Sequence, residues 1–210
     1  MMPVSENASW TYLIRSNVVS DTTYTDTITK VGSDGFTVSS AFPDLTKDVR
    51  WSCTAEGLVA LQFGGGDSAS LSTSGSTASF ETTNVTGVTI PANPQPGDAW
   101  SQSFDIAGTQ DVGGTKATTT GSIALDFTAK DVEHVTVPAG AFDALAVDQQ
   151  VKFSLTVHVA GVSQDVHLSF SGTTWYAPGV GMVKSVSSGS LGQGGGNIDS
   201  TIELTKTTGQ

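Results

Sequence analysis

Hydrophobic and polar residues alternate along most of this chain. From Thr118 to Thr128, one face carries Thr119, Gly121, Ile123, Leu125 and Phe127, and the other Thr118, Thr120, Ser122, Ala124, Asp126 and Thr128. That period of two is the mark of a half-buried strand, whose successive side chains leave opposite faces. It recurs in Trp10-Tyr12-Ile14, Phe36-Val38, Trp100-Gln102-Phe104-Ile106 and Ile198-Ser200-Ile202-Leu204. Nowhere do apolar residues repeat at i, i+3, i+4 and i+7 for more than a turn, so the pattern predicts an all-β fold. Turn signals stand at Ser33-Asp34-Gly35, Gly64-Gly65-Gly66-Asp67 and Val112-Gly113-Gly114, where glycine supplies backbone freedom.

Two hairpins have a predicted register. A three-residue loop Ala55-Glu56-Gly57 pairs Cys53 with Val59, Trp51 with Leu61 and Val49 with Phe63, whereas a two-residue Glu56-Gly57 loop sets Trp51 against Gln62; the first lets apolar residues meet and is preferred. A type II′ turn at Gly161-Val162 pairs Val157 with Val166, Leu155 with Leu168 and Phe153 with Phe170, and puts His158 opposite Asp165. Leu145, Val147, Val151, Phe153, Leu155 and Val157 share one face, broken by Gln149; a strand of this length is expected to bend or to serve two sheets. Three prolines in Pro91-Ala92-Asn93-Pro94-Gln95-Pro96-Gly97 mark a candidate sub-boundary at 91–97, because proline gives a ladder no donor. The Gly-rich run 187–197 reads as a flexible loop. A single β domain over 1–210 is the expected organisation.

Composition adds compartment. Nine basic residues against twenty acidic give a net charge of −11, only 14% of residues are charged, and Gly numbers 24; Ser and Thr together make up about a quarter of the chain. Phosphate recognition needs clustered Lys and Arg, and here they lie scattered, so nucleic acid is not an expected partner. No run approaches the ~18 apolar residues of a membrane span, and the N-terminus lacks the basic and apolar regions of a signal peptide. An acidic, Lys-poor, Ser/Thr-rich surface suits an exported bacterial protein, periplasmic, cell-surface or secreted, whose leader is absent from this chain. The single Cys53 has no internal disulfide partner and is expected to be a small buried hydrophobe.

Catalytic and metal signals are weak. His158 and Asp165, with Ser163 in the turn, make the best candidate for a hydrolase, but Ser154 lies four residues along the strand, roughly 13 Å away at ~3.3 Å per residue. His134, His158 and His167 lack zinc spacing. Asp105, Asp111, Asp126, Asp131 and Glu133 lack a calcium loop. No cofactor, no metal and no enzymatic activity are expected. Trp10, Trp51, Trp100 and Trp175 alternate with other apolar residues, which predicts burial rather than a flat sugar platform.

Four stretches together resemble the TapB-like family, a domain of unknown function in exported bacterial proteins and lipoproteins. They are Glu6-Asn7-Ala8-Ser9-Trp10-Thr11-Tyr12, Pro96-Gly97-Asp98-Ala99-Trp100, the run from Val135 through Pro138, Gly140 and Phe142 to Leu145, and Trp175-Tyr176-Ala177-Pro178-Gly179-Val180-Gly181-Met182-Val183-Lys184. The resemblance implies an extracytoplasmic, curved, mostly antiparallel sheet, a partly open barrel or a sandwich, and carries over no catalytic residue. Physically, Pro138 and Gly140 form one sheet corner, and Pro178 with Gly179 fits a type II turn leading to Gly181. A curved sheet without a helix leaves a concave face to be filled. Trp100, Phe104, Ile123, Leu125 and Phe127 are the candidate lining for a small apolar ligand. The expected function is thus a non-enzymatic module binding such a ligand or an envelope protein. The alternative is a cell-surface or filament subunit assembling through strand edges, for which Thr118–Thr128 is the candidate edge.

Overall fold

The computed structural model describes residues 4–18, 20–63, 79–112, 115–190 and 196–209. Among these, strands account for all the regular structure: β1 Ser9–Ser16, β2 Thr22–Val31, β3 Gly35–Ala41, β4 Thr46–Cys53, β5 Gly57–Ala60, β6 Ser79–Gly87, β7 Ile90–Pro91, β8 Ala99–Val112, β9 Thr115–Val137, β10 Gly140–Val159, β11 Val162–Ala177, β12 Gly181–Ser190 and β13 Asn197–Thr208. They form one antiparallel sheet in the order β6-β8-β9-β10-β11-β12-β13-β1-β2-β3-β4-β5-β7, not closed into a barrel by its ladders. β1 lies between β13 and β2, so strands from the two ends of the chain meet in the middle of the sheet. No helix long and apolar enough to cross a membrane is found among the described residues.

The alternation places the core. Trp10, Tyr12, Ile14, Tyr24, Ile28, Phe36 and Leu204 belong to one buried cluster, and Phe104, Ile106, Ile123, Phe153 and Phe170 to a second. Tyr12, Tyr24 and Phe42 stack in a row across the first, with ring centroids 5.1 and 4.9 Å apart, an arrangement offset aromatic rings favour. The predicted long strand is real. β10 runs for 20 residues against β9 of 23, and its register shifts between Leu145 and Val147, a bulge that bends the strand within one sheet instead of handing it to a second.

The edges of this sheet meet. Gly87 ends β6, one edge, and Ile90 begins β7, the other, so Val88 and Thr89 carry the chain from edge to edge. Thr89 N donates to Leu58 O at 3.0 Å and Val88 N to Ser101 O at 3.1 Å, while Phe63 N donates to Thr82 Oγ1 at 3.3 Å. A three-residue polar ring completes the seam. Ala60 N donates to Thr89 Oγ1, Thr89 Oγ1 to Gln102 Oε1, and Gln102 Nε2 to Ala60 O, at 2.8, 2.8 and 2.9 Å. The Gln102 amide thereby supplies to Ala60 O the donor, and Thr89 Oγ1 to Ala60 N the acceptor, that a neighbouring strand would otherwise offer.

Five sequence expectations are corrected here. The first hairpin pairs Cys53 with Leu58 and Trp51 with Ala60, with Thr54 and Gly57 bonded to each other at 2.9 and 3.3 Å around Ala55-Glu56; neither predicted loop forms. Gly57 serves the seam and not the turn, because a Cβ there would lie 2.2 Å from Ile90 O. In the second hairpin Val159 pairs with Val162, Val157 with Gln164 and Phe153 with Leu168, and positive φ at Ala160 (50°) and Gly161 (80°) makes the turn type I′. A shift of two residues preserves which face each side chain takes but separates His158 from Asp165. Cys53 is exposed rather than buried, since it stands at a strand end beside the hairpin loop. Residues 187–190 and 197 are strand, paired Ser187 with Ser200 and Ser190 with Asn197; of the rest of the expected loop, Gly196 is outside any strand and 191–195 lie outside the described residues, as do Gly64-Gly65-Gly66-Asp67 and Gly113-Gly114. The stretch Thr118–Thr128 is not an edge, for β9 is paired on both sides, by β8 and β10.

Candidate functional site: an interior cavity

The inner faces of two groups of strands line a partly open cavity of about 580 Å³, inside the ~300–1,000 Å³ typical of small-molecule sites. From β8, β9, β10 and β11 come Trp100, Phe104, Leu125, Phe127, Val151 and Phe170; from β1 to β4 come Trp10, Tyr12, Asp26, Val38, Val49 and Trp51. The cavity joins the two core clusters, taking its walls from both. Trp100 is fixed by its stack on Phe127, with centroids 5.5 Å apart and planes at 16°, and by its indole N–H, which donates to Thr89 O at 3.1 Å.

Of the five residues the sequence nominates, Trp100, Phe104, Leu125 and Phe127 border this space. Ile123 shares their face but is 0% exposed, packed in the second cluster away from the cavity. Three cavity groups were not nominated from the sequence although each is a polar residue on an otherwise apolar face; two of them, Gln102 and Gln149, line the cavity from β8 and β10. Gln102 is held by the seam. Gln149 reaches Thr174 Oγ1 at 3.5 Å, and Thr174 shares a further bond with Ser185 Oγ at 3.0 Å.

The third is Asp26, which interrupts the apolar face Tyr24-Asp26-Ile28 of β2. Ladder registers place Trp10, Asp26, Ser40 and Lys47 in one row across β1 to β4. Ser40 Oγ donates to Asp26 Oδ1. Burial pushes the Lys47 amine below its ordinary value of 10.5, because desolvation penalises the charged form. The Trp10 indole N–H is buried with no partner in the described structure.

The remaining candidates lie apart from the cavity. His158 Nδ1 pairs with Ser163 Oγ at 2.7 Å, while Asp165 accepts from Thr156 at 2.8 Å instead of from His158; both pairs are exposed. The hydrolase triad therefore lacks its His–carboxylate bond. His134 and Asp143 form an exposed pair at 2.9 Å across β9 and β10. The motif corners hold the sheet. Ala139 N donates to Leu204 O at 3.0 Å between Pro138 and Gly140, and Phe142 packs on the first cluster. Val180 N donates to Ala177 O at 3.1 Å with Gly179 at φ 73°, the geometry of a type II turn over Pro178 and Gly179 that delivers the chain to Gly181. Trp175 donates outward to Glu133 at 2.8 Å, with the Lys184 ammonium 5.8 Å from its ring centroid.

Comparison with known proteins bears first on the fold. A Bacteroides fragilis protein described as a "putative exported protein with YmcC-like fold" matches with a TM-score of 0.52 and 15% identity, over 99% of this chain and 98% of that one. A "putative lipoprotein" from Parabacteroides distasonis matches with a TM-score of 0.51 and 15% identity, over 99% of this chain and 97% of that one. No curated protein matches. The family model described as DUF3108-like matches residues 69–194, which include three of the four motif stretches, the Trp10 stretch falling outside. That match spans more than half of the sequence, and the chain belongs to the DUF3108-like family.

Proposed function

We propose that this protein is a non-enzymatic, extracytoplasmic binding module that holds a small apolar molecule inside its curved sheet. The carrying observation is the cavity itself, about 580 Å³ walled by Trp100, Phe104, Leu125 and Phe127. A close-packed protein interior tolerates few voids larger than a water, and a space of this size bordered by aromatic and aliphatic side chains with a few fixed polar groups is the form a ligand site takes. Two observations support the compartment: the fold is shared with proteins described as exported or as lipoproteins, and four sequence stretches resemble TapB-like exported proteins. The filament reading has lost its candidate edge, since β9 is paired on both sides.

Titration with N-phenyl-1-naphthylamine, a neutral dye that brightens in apolar surroundings, tests this. Saturable binding to the wild type is expected, and Leu125→Trp, which fills the cavity from β9, weakens it at least tenfold. Equal binding by both proteins, or none by the wild type, overturns the reading. Native mass spectrometry of protein purified from its own host then reads the mass of any co-purifying molecule.

A further inference from the structure

Asp26, Gln102 and Gln149 are buried polar residues on the cavity walls, and they differ in how fully they are bonded. Asp26 is held within its own wall, where it accepts from Ser40. Gln102 is engaged at both ends of its amide, accepting from Thr89 at 2.8 Å and donating to Ala60 O at 2.9 Å. Gln149, 9% exposed, has one side-chain bond in the described structure, from Nε2 to Thr174 Oγ1, and that is long at 3.5 Å. An amide carries two donors and an acceptor oxygen, so the other end of Gln149 is unmet. That end keeps accessible surface, whereas the unbonded Trp10 nitrogen is closed off within the wall. A buried polar group without a partner is costly, and the cavity is where Gln149 can find one.

Ladder partners set what surrounds this amide. Trp100 pairs with Phe127, Phe127 with Gln149 and Gln149 with Gly172. The amide therefore lies one strand, about 4.8 Å, from the residue on which Trp100 stacks, and next to a position that has no side chain. The charged residues on the walls, Asp26 and Asp143, are both acidic, and no Lys, Arg or His lines the cavity among the described residues. A carboxylate or phosphate inside would lose its hydration with no counter-charge to replace it. We infer that the occupant is a neutral apolar alcohol, with its ring or chain along Trp100 and Phe127 and its hydroxyl at Gln149. A hydroxyl both donates and accepts, so it meets either end of the amide. At about 30 Å³ per water-sized group, a space of about 580 Å³ holds roughly twenty heavy atoms, enough for a fused-ring or medium-chain alcohol. This rests on the binding reading above and specifies its ligand.

Competition against N-phenyl-1-naphthylamine at neutral pH tests the hydroxyl. The competitors are 2-naphthol, 2-methylnaphthalene, in which a methyl group replaces the hydroxyl, and 2-naphthoate, each within its solubility. Because 2-methylnaphthalene leaves water more readily than 2-naphthol, the quantity read is the ratio of their competing concentrations, compared between proteins. Gln149→Leu keeps the side-chain bulk on an apolar face and leaves Thr174 its bond to Ser185 at 3.0 Å. In this variant 2-naphthol loses about tenfold relative to 2-methylnaphthalene, the effect of one buried polar partner removed. Gln149→Met, which also lacks the amide, gives the same shift and is the readout if Gln149→Leu does not fold. In the wild type 2-naphthoate competes only at a concentration at least tenfold above that of 2-naphthol. A ratio unchanged by the substitution, or 2-naphthoate competing as well as 2-naphthol, overturns the alcohol assignment while dye binding still supports the cavity reading. Failure of the wild type to bind the dye removes both.

Discussion

Single residues show where this sheet tolerates change. Gly57 has φ 147°, and a Cβ on it would come within 2.2 Å of Ile90 O and 2.8 Å of Pro91 Cα. Both contacts are backbone of β7, so no rotamer change relieves them. Gly57→Ala is expected to cost at least about 2 kcal/mol in urea unfolding. Gly32→Ala, whose added methyl meets Gly35 O at an ordinary 3.5 Å, stays within about 0.5 kcal/mol of wild type. A Gly57→Ala protein as stable as Gly32→Ala would show that β7 does not hold its place against β5. Lys47 gives a second test. Its folded-state pKa is lowered by burial, so between that lowered value and 10.5 the unfolded chain binds more protons than the folded one, and stability attributable to this group rises with pH across that window. Below the lowered value the full penalty of burying the ammonium is present. Lys47→Met removes the alkaline gain, and the wild-type-minus-variant difference in unfolding midpoint should move in favour of the wild type as pH approaches 10.5; a difference independent of pH would contradict this.

Between elements, the seam joins what the ladders leave open. β6 and β7 are the two edges of the sheet, and an unprotected edge offers unpaired N–H and C=O groups to another chain. Here Gln102, 2% exposed, reaches from β8 to Ala60 on β5 both directly and through Thr89. Gln102→Leu keeps the side-chain bulk and leaves Ala60 O unsatisfied, at a cost of about 1–3 kcal/mol. Amide hydrogen exchange should accelerate at Leu58, Ala60 and Val88, while the β10–β11 amides are unaffected; uniform acceleration would mean that the seam is no separate unit. Much of this element-level picture was legible in the chain. Period two located the strands, and Gln149 stood out as a polar break in an apolar face, while Gln102 and Asp26 carried the same signal unread. The registers were not legible, because both hairpins were aligned by matching apolar residues: in the second, side chains two apart satisfy that criterion equally well, and in the first a one-residue slip sets Leu58 and Ala60, also apolar, where Val59 and Leu61 were expected. The turn that won at Ala160-Gly161 needs positive φ at a non-glycine residue, 50° at Ala160, which propensity argues against. Gly57 looked like a turn glycine because its real reason, the approach of Ile90, comes from 33 residues along the chain, in the edge strand β7 that pairs with β5.

At the scale of the whole molecule, connectivity and shape are separable. Strands β1 and β13 lie side by side in the middle of the sheet, and Ser5 Oγ donates to Gly209 O at 3.0 Å, so residues near the two ends already touch. The order of the sheet thus needs no break between 5 and 209, and a short Gly/Ser linker should join them with little strain. New ends opened between Ala160 and Gly161 fall in a two-residue turn where a Cβ at 161 would meet nothing within 4 Å. The resulting permutant closes different loops, but loop-closure entropy changes slowly, by about 0.6 kcal/mol per doubling of length, and no interior contact is lost. It is expected to show the wild-type β circular dichroism, to unfold within about 2 kcal/mol of wild type, and to bind N-phenyl-1-naphthylamine. Opening the same joined chain between Val88 and Thr89 is a different operation, because those two residues are the covalent passage from edge β6 to edge β7. That permutant retains all thirteen strands and their ladders, yet among the described residues the hydrogen bonds left across its edges are the Gln102 ring, the Trp100–Thr89 bond and the Phe63–Thr82 bond. Dye affinity should fall at least tenfold with the strand content unchanged, since the cavity includes Ala60, Thr89 and Gln102 among its walls. Equal dye binding by the two permutants would show that the ladders alone impose the curvature, and that passage of the chain across the edges contributes nothing to enclosing the cavity.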